Sequence, residues 1–160
     1  ERLRPGAAEP GDIVDLDGNR LGTHKGIIHF TIGQRRGIGI GGTGDPLYVV
    51  RLDPDRRQVV VGPRAALLVK EIAVNELNLL TDAPIPAEGL AIEARVRSTR
   101  PPVPARLFIG ANDTARIVLD EAETGVSPGQ AAVFYRGSRV LGGGWIRSTR
   151  SERDWQAQNA

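Results

Sequence analysis

The sequence predicts a mainly β protein, in which a small β-rich domain with one short helix precedes a six-stranded antiparallel β-barrel. Twenty Gly and eleven Pro among 160 residues favour many short elements separated by turns. From about residue 67, six short β-rich segments follow one another at regular spacing, which is typical of a small closed barrel. The pattern does not alternate strands with helices, so it disfavours a doubly wound sheet.

Residues 1–66 carry the signals of one small domain. The run DPDRR at 53–57 separates two β-rich runs and predicts a hairpin. The elements expected here, in order, are an extended connector (1–11), a short strand entering an Asp-Gly turn (13–19), one short helix (24–34), a flexible glycine-rich loop (37–44) and the two hairpin strands (47–52 and 59–62).

The predicted barrel occupies residues 67–147. Its strands are expected at 68–80, 90–98, 105–109, 115–119, 131–135 and 140–146. In the second strand, apolar residues at 92, 94 and 96 alternate with charged residues at 93, 95 and 97, as in a strand with one buried face. The polar tail, 148–160, is expected to be disordered.

Several classes of function are disfavoured by the residues present. Zero Cys excludes disulfides, thiolate nucleophiles and Cys-ligated metal within this chain. His24 and His29 lack the four-residue spacing of a zinc-binding helix, and Gly37-x-Gly39-x-x-Gly42 is followed by a turn and a strand rather than by the helix that a dinucleotide site needs. We therefore expect no catalytic, cofactor-binding or metal-binding residue in this chain. Without an apolar run of roughly 18 residues or a signal peptide, a cytoplasmic protein with no membrane partner is expected.

The basic residues are nineteen Arg and two Lys, and their distribution is uneven. Arg95, Arg97, Arg100 and Arg106 fall within twelve residues that contain no acid. Such a stripe can follow a phosphate backbone, because the guanidinium fork matches phosphate geometry. Two other interpretations stay open: an edge strand protected from aggregation by charge, and a codon bias of a GC-rich genome.

Four segments together resemble bacterial tRNA-specific 2-thiouridylases. They are GTHKGIIHFTIGQRRGIGIG (22–41), PGDIV (10–14), VSPGQAAVFY (126–135) and LGGGWI (141–146). The resemblance covers about residues 2–147 and identifies the chain as a C-terminal fragment that lacks the PP-loop domain.

The resemblance implies a three-part architecture: an N-terminal PP-loop domain, a small central domain and a C-terminal β-barrel. It implies that the whole enzyme uses ATP with Mg²⁺ to adenylate the wobble uridine of tRNA, and that a persulfide received from a sulfur carrier protein then gives 2-thiouridine. ATP, Mg²⁺ and both catalytic cysteines belong to the missing domain. The fragment alone is therefore expected to be inactive and to bind no cofactor.

Contact with tRNA is what the resemblance carries over to this chain. The family positions that touch tRNA match Arg97, Ser98 and Gln130, although many relatives have an aromatic residue where Ser98 stands. Gln130 can donate and accept hydrogen bonds, or it can satisfy the backbone of its own turn. Arg95 and Arg100 join this set through the arginine stripe. We also hypothesise that the central-domain residues Gln34, Arg35 and Arg36 face the tRNA.

Two other functions remain as alternatives at this stage. One is a stand-alone RNA-binding β-barrel that resembles the second domain of translation factors. The other is a protein-interaction module without an RNA role. A PP-loop encoded directly upstream would favour the enzyme over the stand-alone barrel, and titration with unmodified tRNA at two salt concentrations would separate an RNA partner from a protein partner.

Overall fold

A computed structural model describes residues 5–40 and 44–159. The chain divides into two compact units, Glu1–Leu67 and Leu68–Ala160, one residue from the boundary that the sequence predicts. Within the described part of the chain, no helix is both long and apolar enough to cross a membrane.

The first unit contains a four-stranded sheet in the order β2-β1-β4-β3. Its strands are β1 (Gly11–Val14), β2 (Arg20–His24), β3 (Tyr48–Asp53) and β4 (Gln58–Gly62). The hairpins β1–β2 and β3–β4 are antiparallel, and they join through a parallel pairing of β1 with β4. The predicted hairpin around 53–57 is therefore confirmed. Ile13, Val49, Val59 and Val61, each at most 1% exposed, form the centre of the unit's core.

The short helix expected at 24–34 is only a single 3-10 turn, Ile27–His29. The prediction of a longer helix was wrong, because the backbone after this turn forms hydrogen bonds with the strand that contains Val49. The Gly33 amide donates to the Val49 carbonyl at 2.8 Å, and the Val49 amide donates to the Gln34 carbonyl at 2.9 Å. Gly33 also has a φ of 93°, a conformation that ends a right-handed helix. Of the predicted glycine-rich loop, residues 41–43 lie outside the described residues.

The second unit is a closed antiparallel barrel in the order β10-β5-β8-β7-β6-β9, which confirms the predicted six strands. The strands are β5 (Val69–Leu79), β6 (Leu90–Arg95), β7 (Val103–Ile109), β8 (Ala115–Glu123), β9 (Ala131–Arg136) and β10 (Arg139–Ser151). Small and aliphatic side chains dominate the core, and Phe134 is its largest fully buried member.

The end of the chain differs from the disordered tail expected from residue 148. Strand β10 continues to Ser151, and a helix, α1 (Glu152–Asn159), follows it. Three contacts explain the order: the Arg150 guanidinium lies 3.4 Å from the Glu71 carboxylate, the Glu152 amide donates to the Leu68 carbonyl at 2.6 Å, and the Lys70 ammonium lies 5.3 Å from the centre of the Trp155 ring. A polar composition therefore did not prevent this segment from packing against β5.

Candidate nucleic-acid interface

The predicted tRNA-binding residues of the barrel meet at one of its two ends. Strand β6 ends at Arg95, which pairs with Val133 near the start of β9. Because β6 and β9 are antiparallel, the loop after β6 and the loop before β9 lie at the same end. We call this the β6–β9 end, formed by residues 95–102 and 123–131. It contains Arg95, Arg97, Ser98, Arg100 and Gln130.

Arg95 and Ser98 interact directly within the loop after β6. The Arg95 Nη2 donates to the Ser98 carbonyl at 2.7 Å, and both side chains are exposed. The predicted strand face shared by Arg95 and Arg97 is corrected, because β6 stops at Arg95. The inward position of Val96, 3% exposed, nevertheless continues the alternation by one residue. A guanidinium has five N–H donors, so Arg95 retains donors after closing the loop.

Arg97 packs flat against the backbone of Gly125. A Cβ atom on Gly125 would lie 2.8 Å from the Arg97 Cζ and 2.9 Å from its Nε. The side chain is half-buried, and it makes no ion pair or side-chain hydrogen bond to residues 5–40 or 44–159. The backbone of the loop thus holds the guanidinium in place while its charge has no acidic partner in that part of the chain.

Two members of the predicted arginine stripe have local partners instead. Arg100 lies 3.6 Å from the Glu123 carboxylate, so its charge is partly neutralised. Arg106 donates to the Gly89 carbonyl at 3.1 Å and stands opposite Ala91, towards the far end of β6. The prediction of one stripe of four arginines was therefore wrong, because Arg106 lies at the opposite end of the barrel.

Gln130 presents a free side-chain amide at the β6–β9 end. Its backbone carbonyl accepts from the Ile146 amide at 2.8 Å, and its own amide donates to the Ser127 carbonyl at 3.4 Å. The turn is thus closed by backbone groups, and the exposed side chain forms no hydrogen bond within the described ranges. The alternative, in which the Gln130 side chain hydrogen-bonds to the backbone of its own turn, is therefore wrong.

In the first unit, Gln34 organises a loop and leaves two arginines exposed. Its Oε1 accepts from the Thr31 amide at 3.1 Å, and its Nε2 donates to the Arg36 carbonyl at 2.9 Å. Arg35 and Arg36 are exposed and have no acidic partner among the residues described. Of the three residues predicted here, Gln34 therefore has its amide oxygen and one amide N–H engaged within the loop, whereas the two arginine side chains form no hydrogen bond or ion pair with the described residues.

Comparison with known proteins matches both units. A model of the tRNA methyl transferase PRC-barrel domain matches residues 4–63, and a model of the aminomethyltransferase beta-barrel domain matches residues 69–146. The tRNA-specific 2-thiouridylase MnmA of Paracoccus denitrificans is 63% identical over 94% of this chain and 39% of its own length. The chain belongs to the family of tRNA-specific 2-thiouridylases.

Other members of the 2-thiouridylase family align over nearly all of the chain. The MnmA of Parvibaculum lavamentivorans is 56% identical over 100% of this chain and 42% of its own length. The MnmA of Ruegeria pomeroyi is 57% identical over 91% of this chain and 40% of its own length. The chain thus spans about two fifths of the length of the curated relatives it matches, and it corresponds to the C-terminal part of the family.

Two features of this family member's barrel were not singled out from the sequence. Gly125 supports Arg97, a contact that depends on how two loops meet and leaves no local pattern in the sequence. Trp145 is 50% exposed, whereas its neighbour Ile146 is 2% exposed. The alternation along β10 could have indicated that this indole lies on the outer surface.

In the described part of the chain, no group of three His, Cys, Asp or Glu side chains is arranged to hold a metal ion.

Proposed function

We propose that this chain is the tRNA-recognition portion of a tRNA-specific 2-thiouridylase. In the longer protein, the reaction converts the wobble uridine to 2-thiouridine by ATP-dependent adenylation and persulfide sulfur transfer, in the cytoplasm. The observation that carries the proposal is the grouping of Arg95, Arg97 and Gln130 at the β6–β9 end, with donors left free. The relatives named for activity on tRNA support it.

The chemistry of the β6–β9 end suits a folded RNA backbone. Arg97, held against Gly125, would offer its N–H edge to a phosphate without first losing much side-chain freedom. Arg95 supplies a second positive charge, and the amide of Gln130 can pair with a ribose hydroxyl or a base edge. Arg35 and Arg36 of the first unit would bind further phosphates. Positioning of the tRNA, rather than bond making, is the role that these residues support.

The bond-making steps are assigned to the remainder of the longer protein. A persulfide requires a cysteine, and this chain has zero Cys. ATP does not fit the glycine-rich segment, because no helix follows Gly37 and Gly39 among the described residues before β3 begins at Tyr48. ATP, Mg²⁺ and the sulfur carrier protein would therefore be bound outside this chain, and we predict that the chain alone transfers no sulfur.

Binding of an unmodified tRNA transcript, measured by fluorescence anisotropy at about 50 and 200 mM salt, tests the proposal. The double variant Arg95→Ala/Arg97→Ala should lower both the affinity and the salt slope, the latter by about 1 for each phosphate that the variant no longer binds. Arg136→Ala/Arg139→Ala is the matched control, because it removes the same charge from the β9–β10 turn at the opposite end. Equal reductions in the two double variants would show that only net charge matters, and the proposed site would be wrong.

The stand-alone RNA-binding barrel makes a different prediction in the same assay. Such a barrel would bind an unstructured RNA of equal length as tightly as the tRNA transcript. A 2-thiouridylase fragment should prefer the folded transcript, because a folded RNA presents phosphates at fixed positions that the Arg97 guanidinium and its neighbours can match.

A further inference from the structure

Trp145 is a half-exposed indole on the outer surface of the barrel. Its neighbour Ile146 points into the core, so Trp145 points outwards. It stands opposite Ala131 of β9 on one side and Asn75 of β5 on the other. A methyl group covers little of an indole, so the flank of Trp145 that faces β9 is open.

Polar and cationic groups lie on both sides of Trp145. Gln130 directly precedes Ala131, and its carbonyl accepts from the Ile146 amide at 2.8 Å. Arg147 follows on β10, is exposed and lies on the β5 side, where it lines a cavity together with Ala73 and Arg116. Arg95 lies on the other side, beyond β9, opposite Val133. Because neighbouring strands are about 4.8 Å apart, the strands β6 and β10, which carry Arg95 and Trp145, are about 10 Å apart. Arg95 is level with Val133 and Trp145 with Ala131, so the two are also offset by about 7 Å along the strands. Neither arginine forms an ion pair with a residue in the described ranges.

We propose that Trp145 is a stacking platform for an unpaired nucleobase of the bound tRNA. The inference rests on the proposed function and adds a residue that contacts a base to those that contact the backbone. An exposed aromatic face with cations on both sides is the combination by which proteins bind single-stranded RNA segments: the base stacks on the ring and the flanking phosphates reach the cations. Gln130, which directly precedes Ala131, has a free amide that can hydrogen-bond to a nucleotide bound at this end.

Tryptophan fluorescence gives a direct test, because the chain contains only Trp145 and Trp155. In a Trp155→Phe variant, an unmodified tRNA transcript should quench the emission of Trp145. A blunt RNA duplex should not, since its bases are already paired and stacked. The reciprocal Trp145→Phe variant retains only Trp155, which packs beside Lys70, and should show no quenching. Equal quenching by the duplex and the transcript would overturn the stacking proposal.

Affinity measurements separate this inference from the proposed function. Trp145→Leu keeps an apolar side chain but removes the aromatic face, and should weaken tRNA binding by about 10-fold without changing the salt slope. Trp145→Phe should lose less, because it retains a ring. If Trp145→Leu binds like the wild type while Arg95→Ala/Arg97→Ala binds weakly, the stacking inference is refuted and the proposed function stands. If the wild-type chain shows no preference for tRNA, both are refuted.

Discussion

His24 joins the end of β2 to the β3–β4 turn through the carbonyl of Arg57. The His24 Nε2 lies 2.9 Å from that carbonyl oxygen, and the Nδ1 lies 3.0 Å from the Gly26 amide nitrogen. Since a backbone N–H can only donate, Nδ1 accepts and carries no proton; Nε2–H therefore donates to Arg57. The imidazole is 6% exposed and contacts the Phe30 ring edge-on, with the ring centres 5.7 Å apart. This histidine is therefore a structural residue, whereas its spacing from His29 predicts only that the pair is not a zinc site on a helix.

Replacing His24 should destabilise the first unit. His24→Ala removes two hydrogen bonds and leaves the Gly26 amide and the Arg57 carbonyl without those partners, at a cost of roughly 2–4 kcal/mol. Urea denaturation followed by circular dichroism measures the destabilisation. The exposed His29 is the control, and His29→Ala should change the free energy of unfolding by less than about 0.5 kcal/mol. Similar changes in the two variants would contradict the bridging role.

Gly11 must remain glycine for the same contact to form. A Cβ atom there would overlap the Arg57 carbonyl, which is backbone and cannot move independently of the turn, and would lie 2.9 Å from the His24 Nε2. Gly11→Ala should therefore cost about 3 kcal/mol or more in the free energy of unfolding. Gly22→Ala in β2 is the matched control, because its nearest neighbour would be the Ile40 Cγ1 at 3.9 Å. Thermal unfolding of both variants tests this prediction. Equal midpoint temperatures for the two variants would show that the clash at Gly11 does not occur.

The turn after β1 should respond to acid through Asp15. The Asn19 side chain, which donates at 3.1 Å, and the Asn19 backbone amide, which donates at 2.8 Å, hold the pKa of Asp15 below its ordinary value of 3.8. Because the folded state favours the carboxylate, its contribution to stability is present above pH 3.8 and is lost as the pH falls through the lower folded value. Titration by NMR should show that Asn19→Ala raises the pKa of Asp15. Asn159→Ala, in α1, should leave it unchanged, and an unaltered pKa in Asn19→Ala would be the contrary result.

Gly125 should matter for tRNA binding although it offers no side chain. Gly125→Ala would push a methyl group into the Arg97 guanidinium, and should lower the salt slope of tRNA binding by about 1, the change expected when one phosphate is no longer bound. Gly129→Ala is a close control, because Gly129 has a similar φ, 89° against 74°, lies in the same loop and has nothing within 4 Å of the added methyl group. Both variants share the backbone strain, so only Gly125→Ala should change the slope. An equal effect of both would mean that loop strain, rather than the position of Arg97, controls binding.

The sequence predicted the barrel from six short β-rich segments at regular spacing, the second of which alternates with period 2. Ile92, Ala94 and Val96 are buried as that period requires. It did not predict which arginines lie together, because this depends on register: Arg106 lies opposite Ala91, where its Nη1 donates to carbonyls of the loop before β6, far from Arg95. It also did not predict that the Gln34 amide hydrogen-bonds within its own loop, whose position depends on backbone hydrogen bonds to Val49 of β3, distant in sequence. That Gln34 faces the tRNA stays a prediction. Patterns of burial are local in the sequence, whereas the partners of long polar side chains are set by tertiary structure.

Closure of the barrel has a consequence for how such a protein diversifies. Each of the six strands has a hydrogen-bonded neighbour on both sides, and the core is built from inward residues such as Leu107, Ile117 and Phe134. The exposed residues at the β6–β9 end are therefore not needed to hold the strands together. Substitutions at Ser98 or Gln130 are expected to have little effect on folding, even where they alter the chemistry of the surface. If this end binds tRNA as proposed, its binding preference can therefore change among relatives while the architecture of the barrel is kept.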